Sequence, residues 1–373
     1  MRNSIKLFRV WGIEVGIDYS WFLIFFLLTW TLASQVFPDG DRLASSEWHW
    51  AMGILTSLIF FGCVLAHEFG HSVMALLTGV PVERITLFIF GGVAQIRREP
   101  RRALDEFVIA IAGPLVSLIL ALGFGALWLI GWLLELPSLR TLGGWLGSIN
   151  LSLALFNLIP GFPLDGGRVL RAILWGVMGS LDQATRLAAR VGQAVAYLFV
   201  FWGIWRIFRG DWIGGLWIAF IGWFLLSAAL QSVQQVALRQ VLSRYTARDV
   251  MMTDCPAVPP QLSLDVLVDH VILPSGRRCF PVMEDDALVG LITLHQIREA
   301  PQERWRELRV RDIMIPRERL LSARPTEGLD VVFERMDADG VNQIPVLDEH
   351  GHLVGLVARD RILSLLKALS RDG

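Results

Sequence analysis

Charge is scarce in this chain. Only 18% of its 373 residues are Asp, Glu, Lys or Arg, against roughly 25% in ordinary soluble proteins. The formal net charge is −1, and the basic residues are scattered instead of forming one stripe, which gives no footing for a nucleic-acid partner. Cysteine is nearly as sparse. Cys63, Cys255 and Cys279 make neither a C-x-x-C pair nor a disulfide framework, as suits a reducing compartment. A cleaved signal peptide is not expected, because the first apolar run follows a polar lead of more than a dozen residues and is nearly full span length.

Apolar residues, in contrast, are abundant: 54% of the chain is hydrophobic, with 15 Trp. Runs of the ~20 residues needed to cross a bilayer lie near 18–37, 50–77, 104–134, 145–160, 187–207 and 212–231, so six spans are expected. Arg2, Lys6 and Arg9 precede the first; Arg84, Arg97, Arg98, Arg101 and Arg102 follow the second; Arg168, Arg171, Arg186 and Arg190 follow the fourth. The opposite loops hold only Arg42, Arg140, Arg206 and Arg209. Short cytoplasmic loops are the richer in Lys and Arg, so the N-terminus and the C-terminal tail are both assigned to the cytoplasm of a multi-pass cell-membrane protein.

Inside the second run stands His67-Glu68-Phe69-Gly70-His71. Residues four apart share one helix face, so both imidazoles can converge on one ion while Glu68 stays free to act as a base. Each charged group at mid-span costs roughly 2.5–3.5 kcal/mol, so three ionisable residues within one turn argue for a paired, cavity-lining role. Cys63, four residues before His67, reads as a packed span cysteine in preference to a donor. A catalytic zinc takes three protein ligands and leaves a fourth position for water. The best candidate for the third is Asp165, in Asn157-Leu158-Ile159-Pro160-Gly161-Phe162-Pro163-Leu164-Asp165-Gly166-Gly167-Arg168. Prolines and glycines there stop a regular helix, and irregular backbone at membrane depth is tolerated only in protein or beside a watery cavity. A plain Asp-Gly-Gly turn at the cytoplasmic surface is the alternative.

The two motifs together resemble the site-2 protease family of intramembrane zinc metalloproteases, over roughly residues 5–230. The resemblance implies one Zn2+ per chain held by His67, His71 and Asp165, with Glu68 as catalytic base. It implies that Asn157 lies near the active centre, steadying substrate or oxyanion. It also implies that Phe90-Gly91-Gly92-Val93-Ala94-Gln95, within the β-prone run 85–96, forms a membrane-dipping strand beside the catalytic helix. Gly91, Gly92 and Gln95 are then candidate substrate-binding residues, since an unwound segment can add to a strand edge by main-chain pairing. Ala112-Gly113-Pro114 is similar to the family's pattern too, and equally to ordinary helix packing. Membrane-tethered regulatory proteins are the implied substrates.

After about Gln231 the hydropathy drops and a repeat begins. Arg248-Asp249-Val250-Met251 recurs as Arg311-Asp312-Ile313-Met314, and Phe280-Pro281-Val282 with Leu288-Val289-Gly290 recurs as Ile344-Pro345-Val346 with Leu353-Val354-Gly355. An offset that stays between 63 and 65 residues throughout marks duplication. The repeats resemble a tandem pair of cystathionine-β-synthase (CBS) domains over 247–370, modules that often bind adenine nucleotides. Gly290 and Thr293 fit the ligand-binding pattern while Gln296 takes its acidic position; Gly355 fits while Ala358 and Arg361 replace hydroxyl and acid. An adenine nucleotide and a purely structural or homodimerising role both stay open, as do phosphate-facing and merely solvated roles for Arg359 and Arg361.

The expected fold is thus a multi-span α-helical membrane protein with about six transmembrane helices and a short membrane-associated β segment, followed by a soluble α/β tandem CBS module. The expected domains are 1–232 (protease), 233–246 (linker helix), 247–305 (first CBS domain) and 306–373 (second). A CBS-regulated channel or transporter is the competing reading. It has no need of two histidines, an aspartate and a glutamate in this arrangement.

Overall fold

The apolar runs form helices because lipid offers their backbone groups no other partner. The computed structural model describes residues 4–89, 91–96 and 100–369 and divides into two units, Met1–Val236 and Ala237–Gly373.

The first unit opens with a feature the sequence did not announce. Strands β1 (Ser4–Val10) and β2 (Ile13–Asp18) form an antiparallel hairpin. They are joined through Trp11 and Gly12, both at positive φ, as a two-residue hairpin turn requires. Helix α1 (Ser20–Gly40) starts where Asp18 Oδ1 accepts from Ser20 N at 2.9 Å and from Ser20 Oγ at 2.7 Å. Helix α2 (Ser46–Leu77) is capped by Ser45, whose side chain accepts from the Trp48 amide. Strands β3 (Val82–Phe88) and β4 (Gly91–Ile96) follow. The four strands make one sheet in chain order, with β2 and β3 parallel and the outer pairs antiparallel. Phe90, Arg97 and Arg98, named above, lie outside the described residues, as does Arg2. Ile13, Val82 and Ile85 bury against Ala75 of α2 and Ile109 of α3 (Ala103–Leu133), which fixes the sheet beside the catalytic-motif helix.

Helices α4 (Pro137–Asn157), α5 (Asp165–Met178), α6 (Leu181–Phe208) and α7 (Trp212–Leu242) complete the unit. Among the described residues, five helices are long and apolar enough to cross a membrane: Ser20–Gly40, Ser46–Leu77, Ala103–Leu133, Leu181–Phe208 and Trp212–Gln231. The fourth expected span is α4, whose 21 residues reach about 31 Å. Its Gly143, Gly144, Gly147 and Asn150 lower its hydropathy, but the same small residues let it run back along α3, close against the backbone of Phe124 and Trp128. The expected linker residues form the last turns of α7 as far as Leu242.

The second unit holds two similar cores. Strands β5 (Cys279–Glu284), β6 (Ala287–Thr293) and β7 (Ile315–Pro316) form one antiparallel sheet, and β8 (Gln343–Leu347) with β9 (Leu353–Ala358) forms another. The repeats exchange their leading segments. Ile315 pairs with Leu291, while Met252 bridges to Leu356. Accordingly Val310 is buried with Val258, Phe280 and Ile292, whereas Ala247 is buried with Val332, Ile344 and Val357. Each core contains residues from the other repeat's lead.

Ile344 has no exposed surface in that second core. Ile344→Ala is expected to cost about 2–5 kcal/mol. Hydrogen exchange of the full-length protein should show protection falling at 242–250 as well as at 320–366; loss confined to the second stretch would contradict the exchange of leads.

Candidate metal centre

His67 and His71 lie one turn apart on α2 with relative exposures of only 4% and 5%, and α3 fixes both rings. Ser117 Oγ lies 2.9 Å from His67 Nδ1, and the Ile109 carbonyl lies 2.7 Å from His71 Nδ1. A carbonyl only accepts, so His71 Nδ1 carries the proton and, in the neutral ring, Nε2 presents a lone pair. Between these contacts α3 passes the His71 ring at Gly113. A Cβ there would stand 2.2 Å from Nε2, so a larger residue would displace the ring.

The third donor arrives from 94 residues further along. Asp165 opens α5, and its Oδ2 lies 3.2 Å from both Nε2 atoms, which are themselves 3.2 Å apart. With Ser117 Oγ accepting from His67 Nδ1, as its hydroxyl is able to, both Nε2 atoms present lone pairs toward Asp165 Oδ2 and the three form a donor triangle. Donors on a tetrahedral ion with bonds of about 2.0–2.1 Å stand roughly 3.3 Å apart. The triangle therefore fits one divalent ion, and two imidazoles with one carboxylate are a donor set that leaves a position open to water.

Glu68, the next residue on α2, is half-buried and within electrostatic reach of all three donors, and its side chain lies against strand β4. This is an edge strand. Gly92 on the same strand makes the approach possible, since a Cβ there would stand 2.4 Å from Glu68 Cγ. Gly91 begins β4 at φ 128°, and Gln95 is exposed on it opposite Arg84. Asn157 is the last residue of α4, half-buried and without a hydrogen bond to His67, Glu68, His71 or Asp165. Cys63 is buried against Asn150, outside the donor triangle.

The same residues place the chain among known proteins. Residues 55–133 and 135–199 match peptidase family M50, and 247–303 and 310–368 match the CBS domain. The chain is 35% identical over 98% of its length to sll0528 of Synechocystis sp., named as a zinc metalloprotease, covering 96% of that protein. It is 33% identical over 98% of its length to Rip3 of Mycobacterium tuberculosis, named likewise and covered to 93%. The chain belongs to peptidase family M50, the site-2 proteases. The solved site-2 protease of Methanocaldococcus jannaschii is 31% identical, covering 62% of this chain and 95% of that one, with a TM-score of 0.41. As a member of M50 matched over nearly its whole length by relatives named as zinc metalloproteases, the chain is an intramembrane zinc metalloprotease with a CBS pair, and the transport reading falls away.

Two features of this protease's site escaped the sequence. Ile109 contributes a backbone carbonyl and so leaves no side-chain signature. Ser117 carried a faint one, as a hydroxyl one turn after Gly113 in an apolar run. Gly113→Ala is expected to reduce the zinc content of the purified protein well below one per chain, whereas Gly92→Ala should retain zinc and lose cleavage. Metal analysis beside a cleavage assay separates them; full zinc in Gly113→Ala would contradict the ring placement.

Proposed function

We propose that His67, His71 and Asp165 hold one Zn2+ per chain and that Glu68 is the general base in hydrolysis of peptide bonds in or near transmembrane segments. The single observation that carries this reading is the 3.2 Å triangle of lone-pair donors with a carboxylate beside it. When bound, the ion lowers the pKa of water and polarises the scissile carbonyl. Glu68 accepts the proton of the attacking water and delivers it to the leaving amine. Peptide bonds in a helix are shielded by their own hydrogen bonds, so the substrate must unwind first. The edge of β4, with Gly91, Gly92 and Gln95, offers the unwound stretch main-chain partners. The amide of Asn157, unpartnered among the described residues, is available to substrate where α4 ends. Membrane-tethered regulatory proteins are the proposed substrate class.

With α4 counted as a crossing, six spans put the N-terminus and the CBS module on the cytoplasmic side, as the arginine distribution favours. The proposed domains are 1–232, 233–246, 247–305 and 306–373, with the CBS pair a regulatory or homodimerising module. Ribose recognition finds little support in its geometry. Gln296 Oε1 accepts from the Thr293 amide at 3.1 Å and contacts the Thr293 hydroxyl, so the acidic position closes a capping box. Arg359 is paired with Asp337 and covers the Phe333 ring.

Glu68→Gln should keep its zinc while cleavage of a single-span test substrate falls by at least ~10²-fold; substantial residual turnover would sink the assignment. Asp165→Ala should lose the metal. AMP titrated into the full-length protein is expected to produce no saturable heat, and micromolar binding would restore the nucleotide reading.

A further inference from the structure

Glu106 is fully buried in the first turn of α3, and the chemistry above does not use it. Its Oε1 accepts from Arg171 Nε at 2.7 Å and from Nη2 of the same side chain, and Arg168 Nε lies 3.9 Å away. Oε2 has no partner among the described residues. The Arg171 guanidinium also covers the Phe162 ring, 5.3 Å from its centroid. A carboxylate withdrawn from water at the start of a span persists only when paired.

What the pair joins is informative. Arg168 and Arg171 lie three and six residues after Asp165 on the 14-residue helix α5, and Phe162 lies three residues before it. The contacts therefore grip the chain on both sides of the proposed ligand. Glu106 also belongs to the stripe of α3 that continues through Ile109, Gly113 and Ser117 at spacings of three, four and four. That stripe already orients both imidazoles.

We propose that Glu106 is a positioning residue: through Arg171 it registers α5 against α3 and so holds Asp165 in the triangle with the two imidazoles. The inference rests on the reading of Asp165 as a ligand. A buried pair could instead serve only to hold helices together, and the test must separate the two.

Full-length Glu106→Gln, Arg171→Lys and Asp165→Ala would be compared with wild type. Zinc affinity would be read by chelator competition, donor geometry by the visible spectrum of the Co2+-substituted protein, and fold by thermal unfolding of the metal-free form. Glu106→Gln and Arg171→Lys are expected to weaken zinc by about tenfold or more and to alter the Co2+ spectrum, with metal-free unfolding of Arg171→Lys close to wild type and that of Glu106→Gln lowered because the Arg171 guanidinium loses the buried carboxylate's charge. Unchanged affinity and spectrum, with or without a lower unfolding temperature, would overturn the proposal. Should Glu106→Gln fail to fold, Arg171→Lys, which keeps the buried charges balanced, decides by the same readings. Wild-type zinc affinity in Asp165→Ala would instead overturn the ligand reading on which the proposal rests.

Discussion

Three electron-rich atoms standing 3.2 Å apart in an apolar environment impose the constraint around which the membrane unit is organised. To serve as ligands of the proposed ion they must be held in this arrangement by rigid supports behind each ring. Helix α3 provides those supports. Its carbonyl at Ile109 fixes one tautomer, its hydroxyl at Ser117 holds the other ring, and its missing side chain at Gly113 makes the room. A helix is suited to this task because it spaces backbone groups, hydroxyls and gaps at fixed intervals along one face. Small adjustments in α3 would be felt by both histidines at once.

The legibility of the site in the sequence follows from where its information resides. His67, Glu68, His71 and Asp165 carry chemistry in their side chains, and breaks in helical pattern mark the loop before Asp165, so these residues could be found without coordinates. The supports could not. Ile109 acts through its backbone, Glu106 reads as an ordinary first-turn acid, and Gly113 is as consistent with helix packing as with a ring beside it. The hairpin of Ser4–Asp18 was hidden for a different reason. Its β2 strand gains a parallel partner only at Glu14–Ile17 against Arg84–Leu87, seventy residues away across two helices, and no local pattern encodes such a pairing. The fourth expected span was legible as an apolar run and forms a helix, yet its glycines leave it outside the five helices apolar enough to cross a membrane.

In the soluble unit, duplication was plain from the recurring motifs, but the exchange of leads was not. Sequence repeats are delimited by similarity, while cores are delimited by burial, and the two need not coincide. Tyr245 and Glu327 exchange backbone hydrogen bonds with Leu329 and Ala247, as Leu262 and Leu308 do with Val310 and Leu264. This reciprocity means that neither repeat completes its core alone. A perturbation in either core is thereby shared by both.

Strand β4 brings the two halves of the proposed chemistry together. It lies at the edge of the sheet, so among the described residues its outer groups are not consumed by a neighbouring strand, and it is also the strand whose Gly92 lies against the proposed base. A peptide that adds to that edge is aligned by the same element that sets the position of Glu68. Binding and proton transfer are then referred to one frame, and error between them is limited to the strand's own flexing. The glycines at 91 and 92 keep that frame close: a side chain at position 92 would push strand and base apart. The donors are located by α3 and the base by β4, and Ile85 and Val82 packed against Ile109 tie those two references into one core. The sheet is accordingly part of the catalytic scaffold, since without its packing on α3 the base and the metal donors would be positioned independently.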